Sequence, residues 1–276
     1  MVKASIFQIV YSDDTAAGRD PGFLMLDNRQ DSRPDWYEYW PMRRFLKTTS
    51  LEDDRYYGFL SPRFRQKTGL TSDDVHRVLD GRSDDVVIFS PYFDLGALFF
   101  NQLDQGESVH PGIKALFAAL LPLGAPGSLL LEDSTNTVFC NFFAARPRFW
   151  AAWLARCEAI FAQAETGTGE IADRLRASSD YEDGKTAQYK VFLIERMASA
   201  LLALDRRWRG VAPLAGKLPL AIPALEASRD QLRELDRLKY DAVRARDPRP
   251  LLQRYVAKRE AMVGALTGKA APAAAP

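Results

Sequence analysis

A short apolar segment, Val86–Phe89, limits the choice of fold more than any other part of the chain. The segment stops at Ser90-Pro91, and the residues after it include one of only two histidines in the protein. A continuous apolar run of this length is typical of a strand that is buried on both faces of a parallel sheet. Ligands of such sheets bind beyond the carboxyl ends of the strands. The stretch from Asp84 to Gly112 is therefore predicted to deliver a buried strand to a functional site.

Strands and helices are predicted to alternate along the first half of the chain. The strands are expected over residues 3–11, 52–64 and 86–89, and the helices over 36–48, 71–81, 94–102 and 113–121. Pro41 predicts a kink or a broken first turn in the first of these helices. The alternation favours an α/β fold with a doubly wound, mainly parallel sheet flanked by helices.

The remaining segments are predicted to form loops, short strands and further helices. Residues 15–34 are expected to be irregular and residues 104–112 to form a polar loop. Residues 129–131 and 138–144 indicate either two strands or one strand with a hairpin return. Further helices are expected over 147–163, 186–206, 224–246 and 249–266.

Length and composition predict one large domain with an appendage. The chain has 276 residues, 47% of them hydrophobic, which is enough to bury a substantial core. We predict a first domain over residues 1–206 and a linker over 207–223, where Pro and Gly recur. A helical C-terminal extension over 224–267 and a disordered tail over 268–276 are expected to follow.

The charge balance and the cysteines restrict partners and location. With 37 basic and 36 acidic residues the formal charge is +1, so no broad positive field for nucleic-acid binding is expected. Cys140 and Cys157 lie in apolar surroundings, and no signal peptide or membrane-spanning run is recognised. These features predict a cytoplasmic protein with reduced thiols.

Four polar residues are candidates for chemistry on sequence grounds. Arg63 and Arg65 follow the predicted second strand and could grip a diphosphate, although a solvated surface pair remains an alternative. His110 lies in a loop restricted by neighbouring Gly and Pro, where it could accept a proton or simply anchor the loop. Asp94 could act as a base or cap the helix that begins beside it.

Several separated segments also carry a resemblance to a known family. They are Trp36–Trp40, Tyr56–Phe64, the Asp-Val-Val-Ile strand at 85–88, the loop with Gln105 and His110, Asn141–Phe143, and Phe192–Met197. In their order and spacing, over residues 3–205, the chain resembles bacterial GT-A-like glycosyltransferases encoded in capsule, lipopolysaccharide and exopolysaccharide gene clusters. The resemblance implies a GT-A-like, Rossmann-related catalytic domain over residues 1–206.

The chain departs from the pattern of that family at two places. A His-Tyr-Arg-Arg-type motif is usual after the second strand, whereas this chain has Ser61-Pro62-Arg63-Phe64 and offers Arg65 as a shifted second arginine. An Asp-X-Asp motif that holds a divalent cation is also usual, but the third strand ends in Ser-Pro-Tyr. Glu132 and Asp133 are the closest, weak metal candidates. Both metal-independent transfer and transfer with Mn or Mg therefore remain open.

The resemblance implies a glycosyltransferase that moves a sugar from a nucleotide-sugar donor to a surface polysaccharide or a related glycan or lipid-linked glycan acceptor. Asp94 and His110 are the implied catalytic residues. The implied nucleotide-sugar-binding residues are Gln8, Tyr11, Tyr57, Arg63, Arg65, Asn141, Glu195 and Arg196. The alternative is a non-catalytic GT-A-like scaffold or binding module in polysaccharide assembly. Its charged C-terminal helices would then contact an assembly partner or, peripherally, the inner membrane.

Overall fold

The computed structural model describes residues 2–30, 32–121, 130–180 and 184–268. In this part of the chain, helices flank a six-stranded, mainly parallel sheet, so the predicted α/β fold class is confirmed. The strands are β1 (Lys3–Val10), β2 (Leu24–Asp27), β3 (Arg55–Leu60), β4 (Val86–Ile88), β5 (Phe143–Ala145), β6 (Ser178–Asp180), β7 (Thr186–Gln188) and β8 (Gly210–Val211).

The helices surround this sheet and also form the C-terminal part of the described chain. They are α1 (Asp13–Ala17), α2 (Tyr39–Thr48), α3 (Phe64–Thr68), α4 (Ser72–Leu79), α5 (Phe93–Leu98), α6 (Gln102–Val109), α7 (Ile113–Leu120), α8 (Pro147–Thr166), α9 (Glu170–Arg176), α10 (Tyr189–Leu204), α11 (Arg229–Arg244) and α12 (Arg249–Thr267). Among these helices none is long and apolar enough to cross a membrane.

The strand order in the main sheet is β2-β1-β3-β5-β4-β8. β1 pairs in parallel with β2 and β3, and β4 pairs in parallel with β8, whereas β5 runs antiparallel between β3 and β4. β6 and β7 form a separate antiparallel pair. Because β5 runs in the opposite direction, its first residue lies at the same sheet edge as the carboxyl ends of β3 and β4. Three loops therefore meet at that edge.

The two faces of the sheet bury different aromatic residues. Tyr56 and Tyr57 are adjacent in β3, so their side chains point to opposite faces and join different core clusters. Tyr57 shares its cluster with Trp150 of α8, whose indole N–H donates to the Tyr57 carbonyl oxygen at 2.9 Å. Tyr56 packs in the cluster that contains Phe64 of α3 and Val75 of α4. Burial of such large rings contributes about 2 to 3 kcal/mol each.

A third apolar cluster joins the C-terminal helices to α5. It contains Leu232 and Leu235 of α11, Tyr255 of α12 and Phe93 of α5. The Tyr255 hydroxyl donates to two carbonyl oxygens at the end of α5, each at 3.0 Å, and the buried ammonium group of Lys239 donates to two more. These carbonyls have no partner within the helix, and cations are favoured at this end of it. The C-terminal helices thus stabilise the end of α5.

Two segments that were predicted to lack regular structure form helices and a strand. The segment 15–34 contains the end of α1 and the edge strand β2; Ser12 caps α1 by accepting a hydrogen bond from the Thr15 N–H at 3.2 Å. The loop predicted over 104–112 is mostly α6, because the Asn101 side chain accepts a hydrogen bond from the Asp104 N–H at 2.8 Å. The loop predicted over 104–112 was wrong because the Asn101 cap was overlooked; in 15–34 the end of α1 and β2 were missed, whereas residues 18–23 and 28–30 lack regular structure as predicted.

Four further predictions are corrected, confirmed in part or fall outside the described residues. The segment 207–223 is not a separate linker, because β8 pairs with β4 in the main sheet. Residues 129–131 and 138–144 were expected to form two strands or one strand with a hairpin return; among the described residues this region contains the single strand β5, and residue 129 lies outside them. The helix expected from residue 36 begins at Tyr39, after a separate 3-10 turn, so a broken first turn is confirmed. Residues 269–276 of the predicted tail also lie outside the described ranges.

Candidate functional site

A cavity of about 500 Å³ opens at the sheet edge where β3 and β4 end. On the sheet side it is lined by Lys67 of α3, by Tyr92, which follows β4, and by Cys140, which precedes β5. The opposite wall is formed by residues of α6 and α10. Its volume lies in the usual range for small-molecule sites, and its position is the one where open α/β sheets bind ligands.

Unusual backbone conformations surround this cavity on the sheet side. Tyr92, Cys140 and Asn141 have φ angles of 70°, 58° and 53°, in the left-handed region that non-glycine residues rarely adopt. The Ser90 hydroxyl holds the loops together, because it accepts a hydrogen bond from the Phe139 N–H at 2.8 Å and donates one to the Phe139 carbonyl at 3.1 Å. Such conformations persist where the surrounding structure fixes them, and they cluster at functional sites.

His110, one of the two predicted catalytic residues, lies in the wall of the cavity. Its ring stacks on Phe192 of α10, with the ring centroids 3.6 Å apart, and its Nδ1 lies 3.0 Å from the Ser179 hydroxyl oxygen. Burial, followed by the positive charge of Arg196, lowers the pKa of His110 to about 4. The imidazole is therefore neutral at pH 7 and is a weaker proton acceptor than an exposed histidine.

Arg196 also lines the cavity, although it is only 6% exposed. Its guanidinium group donates to the carbonyl oxygens of Gln102 and Phe192, at 3.2 and 2.9 Å, and to the Gln105 side-chain oxygen at 3.2 Å. It packs directly over Gly106 of α6, where a Cβ atom would lie 2.5–2.8 Å from three guanidinium atoms. Burial lowers the pKa of Arg196.

The cavity contains charges of both signs. Lys67 and Arg196 are its cations, and Glu195 and Asp180 are its carboxylates. Lys67 donates to the Cys140 sulfur atom at 3.5 Å. Burial raises the pKa of the Cys140 thiol to about 12, so this cysteine is not a thiolate nucleophile at neutral pH. The cavity can thus bind an anion and also hold a carboxylate near a reacting hydroxyl.

Asp94, the other predicted catalytic residue, does not line this cavity. It is fully buried, and its two carboxylate oxygens accept hydrogen bonds from the backbone N–H groups of Ala221 and Ile222, at 2.9 and 2.8 Å. Both oxygens are thereby occupied in tying α5 to the segment before α11. The geometry supports an anchoring role and gives no support to a role as base.

Gln8 and Tyr57, which were predicted to bind the nucleotide, have structural partners instead. The Gln8 amide donates to the Pro62 carbonyl oxygen at 3.3 Å and accepts from the Asp20 N–H at 3.1 Å, so it links β1 to two loops. The Tyr57 hydroxyl accepts from the Glu52 N–H at 3.0 Å, and its ring is buried in the core. Tyr57 lies in the middle of β3 rather than at its carboxyl end, which removes it from the cavity.

The other predicted binding residues lie around the same sheet edge but outside the cavity lining. Tyr11 follows β1 and packs against the main core. Arg63 and Arg65 are exposed at the start of α3, where Arg63 donates to the Gln66 side chain at 3.3 Å. Asn141 is buried, and its side-chain oxygen has no hydrogen-bond partner among the described residues. Of the predicted residues, the cavity therefore brings together His110 and the Glu195-Arg196 pair.

Glu132 and Asp133 are held by backbone groups in a turn behind α6. One Glu132 oxygen accepts from the Gln102 N–H at 2.9 Å, and one Asp133 oxygen accepts from the Thr135 N–H at 2.8 Å. Within the described ranges, no three His, Cys, Asp or Glu side chains are grouped so that they could hold a metal ion. The geometry gives these two residues structural roles.

Sequence reasoning missed the contribution of α6 and of the loop side chains. One side of α6 lines the cavity through Gln102, Gln105 and Val109, which are spaced three and four residues apart. His110, which directly follows the helix, continues the same lining. That spacing was visible in the sequence but was assigned to a loop. Comparison of the chain with protein-family models, with curated proteins and with solved structures gave no match.

Proposed function

We propose that this chain is a GT-A-like glycosyltransferase that binds a nucleoside diphosphate sugar in the cavity at the ends of β3 and β4. The sugar would pass to a hydroxyl group of a glycan or lipid-linked glycan. One observation carries the proposal: Arg196, Lys67 and Glu195 line the same cavity, at the sheet edge where α/β folds bind ligands.

Glycosyl transfer makes specific demands that these residues meet. The departing diphosphate gains negative charge, which a guanidinium or ammonium group stabilises. The acceptor hydroxyl loses a proton, and a carboxylate such as Glu195 can take it if transfer inverts the anomeric centre. A glycosyltransferase site therefore needs a cation beside the leaving diphosphate and a carboxylate beside the acceptor hydroxyl. The lining of this cavity contains side chains of both charges.

In this proposal His110 binds the ligand as a neutral group and is not the general base that a histidine with an ordinary pKa could be. Because its pKa is lowered to about 4, it acts as a neutral hydrogen-bonding group rather than as the main base. Its Nε2 makes no hydrogen bond to the residues that the structure describes, whereas Nδ1 faces Ser179. Nε2 can thus contact a sugar or phosphate oxygen.

The test is a panel of uridine, guanosine and cytidine diphosphate sugars, each assayed for thermal stabilisation and for release of the nucleoside diphosphate. We expect one nucleotide class to stabilise the protein and to be turned over. Glu195→Gln should retain donor binding and lose most of the turnover, whereas Glu170→Gln, at an exposed carboxylate of α9, should match the wild type. If no donor binds, the proposal is wrong; if donors bind but none is turned over with any acceptor, the alternative of a non-catalytic binding module is correct.

A further inference from the structure

The guanidinium group of Arg196 is buried without a carboxylate beside it. All three of its hydrogen bonds go to neutral oxygen atoms, two backbone carbonyls and one side-chain amide. Among the described residues no carboxylate oxygen lies within 4 Å of it, the distance that defines an ion pair. Buried charges in proteins are almost always paired, because an uncompensated one is strongly destabilising.

Two carboxyl groups influence Arg196 without forming an ion pair with it. The charges of Glu195 and Glu132 raise the pKa of Arg196, but neither carboxyl group is paired with its guanidinium. Glu132 is fully buried, and burial raises its pKa to about 8, so it is mostly protonated at pH 7. Glu195 lines the cavity and has another interaction of its own. The positive charge of Arg196 is therefore left for something that enters the cavity.

The surroundings of Arg196 hold the guanidinium in one place. Arginine has five N–H donors, and the three hydrogen bonds use the one on Nε and one on each terminal nitrogen. One N–H on each terminal nitrogen is left for a ligand. The missing Cβ of Gly106 provides the space, since an added Cβ would come within 2.5 Å of Nε. A positioned pair of donors of this kind suits the oxygens of a phosphate group.

We propose that Arg196, seated on Gly106 and oriented by Gln105, forms an anion subsite that binds a phosphate or diphosphate group of the ligand in this cavity. The identity of that ligand as a nucleoside diphosphate rests on the proposed function; the subsite itself does not. Asp180 and Glu195 also line the cavity. They do not remove the need for a counter-ion, because neither reaches the buried guanidinium, so the anion sits at the Arg196 end.

Gln105→Glu tests this subsite with almost no change of shape. The Gln105 oxygen is 3.2 Å from Arg196, so a glutamate there places a carboxylate against the guanidinium and supplies the missing counter-ion. Ser108→Glu is the matched control, because it adds the same charge to an exposed position of the same helix. Inorganic pyrophosphate is the first probe, and uridine, guanosine and cytidine diphosphates are the second, all measured by calorimetry.

We expect Gln105→Glu to weaken pyrophosphate binding by about 10- to 100-fold, the value of one or two charge-assisted hydrogen bonds. Ser108→Glu should change the dissociation constant by less than about twofold, since exposed charges are screened by salt. The melting temperature of Gln105→Glu should equal or exceed that of the wild type, which shows that the variant folds. Gly106→Ala, which displaces the guanidinium, should weaken binding in the same direction.

Two results would overturn the subsite: a wild type that does not bind pyrophosphate or any of the diphosphates, or equal binding by the wild type and Gln105→Glu. The outcomes also separate the subsite from the proposed function. If Gln105→Glu weakens pyrophosphate binding but no nucleotide is preferred, the subsite is supported and the donor-binding proposal is contradicted. If a nucleotide binds equally well to the wild type and to Gln105→Glu, the donor-binding proposal is supported and the subsite is contradicted.

Discussion

Replacement of the buried Glu132 by glutamine should change how the stability of the protein depends on pH. Glu132 has no exposed surface, one of its oxygens accepts from the Gln102 N–H, and the other has no hydrogen-bond partner among the described residues. Burial raises its pKa from the ordinary 4.5 to about 8. Glutamine keeps the shape and the acceptor for Gln102 but cannot ionise, so Glu132→Gln isolates the effect of this one titration.

The sign and size of the effect follow from the two pKa values. Between pH 4.5 and 8 the folded protein keeps a proton on Glu132 that the unfolded chain has released. The free energy of unfolding therefore falls as the pH rises through this interval. At about 1.4 kcal/mol per pKa unit, the loss approaches about 5 kcal/mol at pH 8 and above. The variant does not suffer this loss.

The assay is urea denaturation of both proteins, followed by circular dichroism, between pH 5 and pH 9. At pH 5 the variant should be less stable by about 1 kcal/mol, because its buried amide group lacks a partner. The difference should change sign and favour the variant by about 3 to 4 kcal/mol at pH 9. Lys239, whose pKa burial lowers to about 8, titrates in both proteins; because the charge of Glu132 raises the pKa of Lys239, that titration shifts in the variant and cancels only in part. A difference that does not vary with pH would refute the reasoning.

Three other substitutions test the structural assignments. Asp94→Ala removes the acceptor of two backbone N–H groups, so it should lower the free energy of unfolding by about 3 kcal/mol in urea titrations. Under conditions where the variant stays folded, its turnover should match that of the wild type. Tyr255→Phe should lower the free energy of unfolding by about 1 kcal/mol in the same urea titrations, since one hydroxyl serves two carbonyls. In Gly106→Ala the added methyl displaces the Arg196 guanidinium and leaves His110 buried, so the pKa of His110, measured by NMR titration, should rise above about 4 but stay below its ordinary 6.5, because burial is the larger cause of its lowering.

Much of the fold could be predicted because its signals are local. The strands that begin near Lys3, Arg55 and Val86 are apolar runs that end at turn residues, and the long helix α8 starts at a proline and repeats aromatic residues at helical spacing. β5 and β8, of three and two residues, were harder to predict, because neither is a continuous apolar run that ends at turn residues, as Val86–Phe89 is. Only their pairing in the sheet defines them.

For the candidate site, the sequence predicted single residues but not the long-range contacts that give them their properties. His110 was found because glycine and proline restrict its neighbourhood, yet its low pKa depends on burial against α10, about eighty residues away in sequence. Asp94 was misjudged for a related reason. Its partners are backbone N–H groups at residues 221 and 222, and no sequence pattern reveals such a long-range hydrogen bond.

The C-terminal helices form part of the framework of the cavity. α5 has only six residues, too few to be stable alone, and the residue that precedes it, Tyr92, lines the cavity. Asp94 ties its first turn to the chain that enters α11, and Lys239 and Tyr255 bind the carbonyls at its other end. The apolar faces of α11 and α12 pack in the same cluster. A change that loosens α11 would therefore alter the position of α5 and of the cavity residue Tyr92 that precedes it.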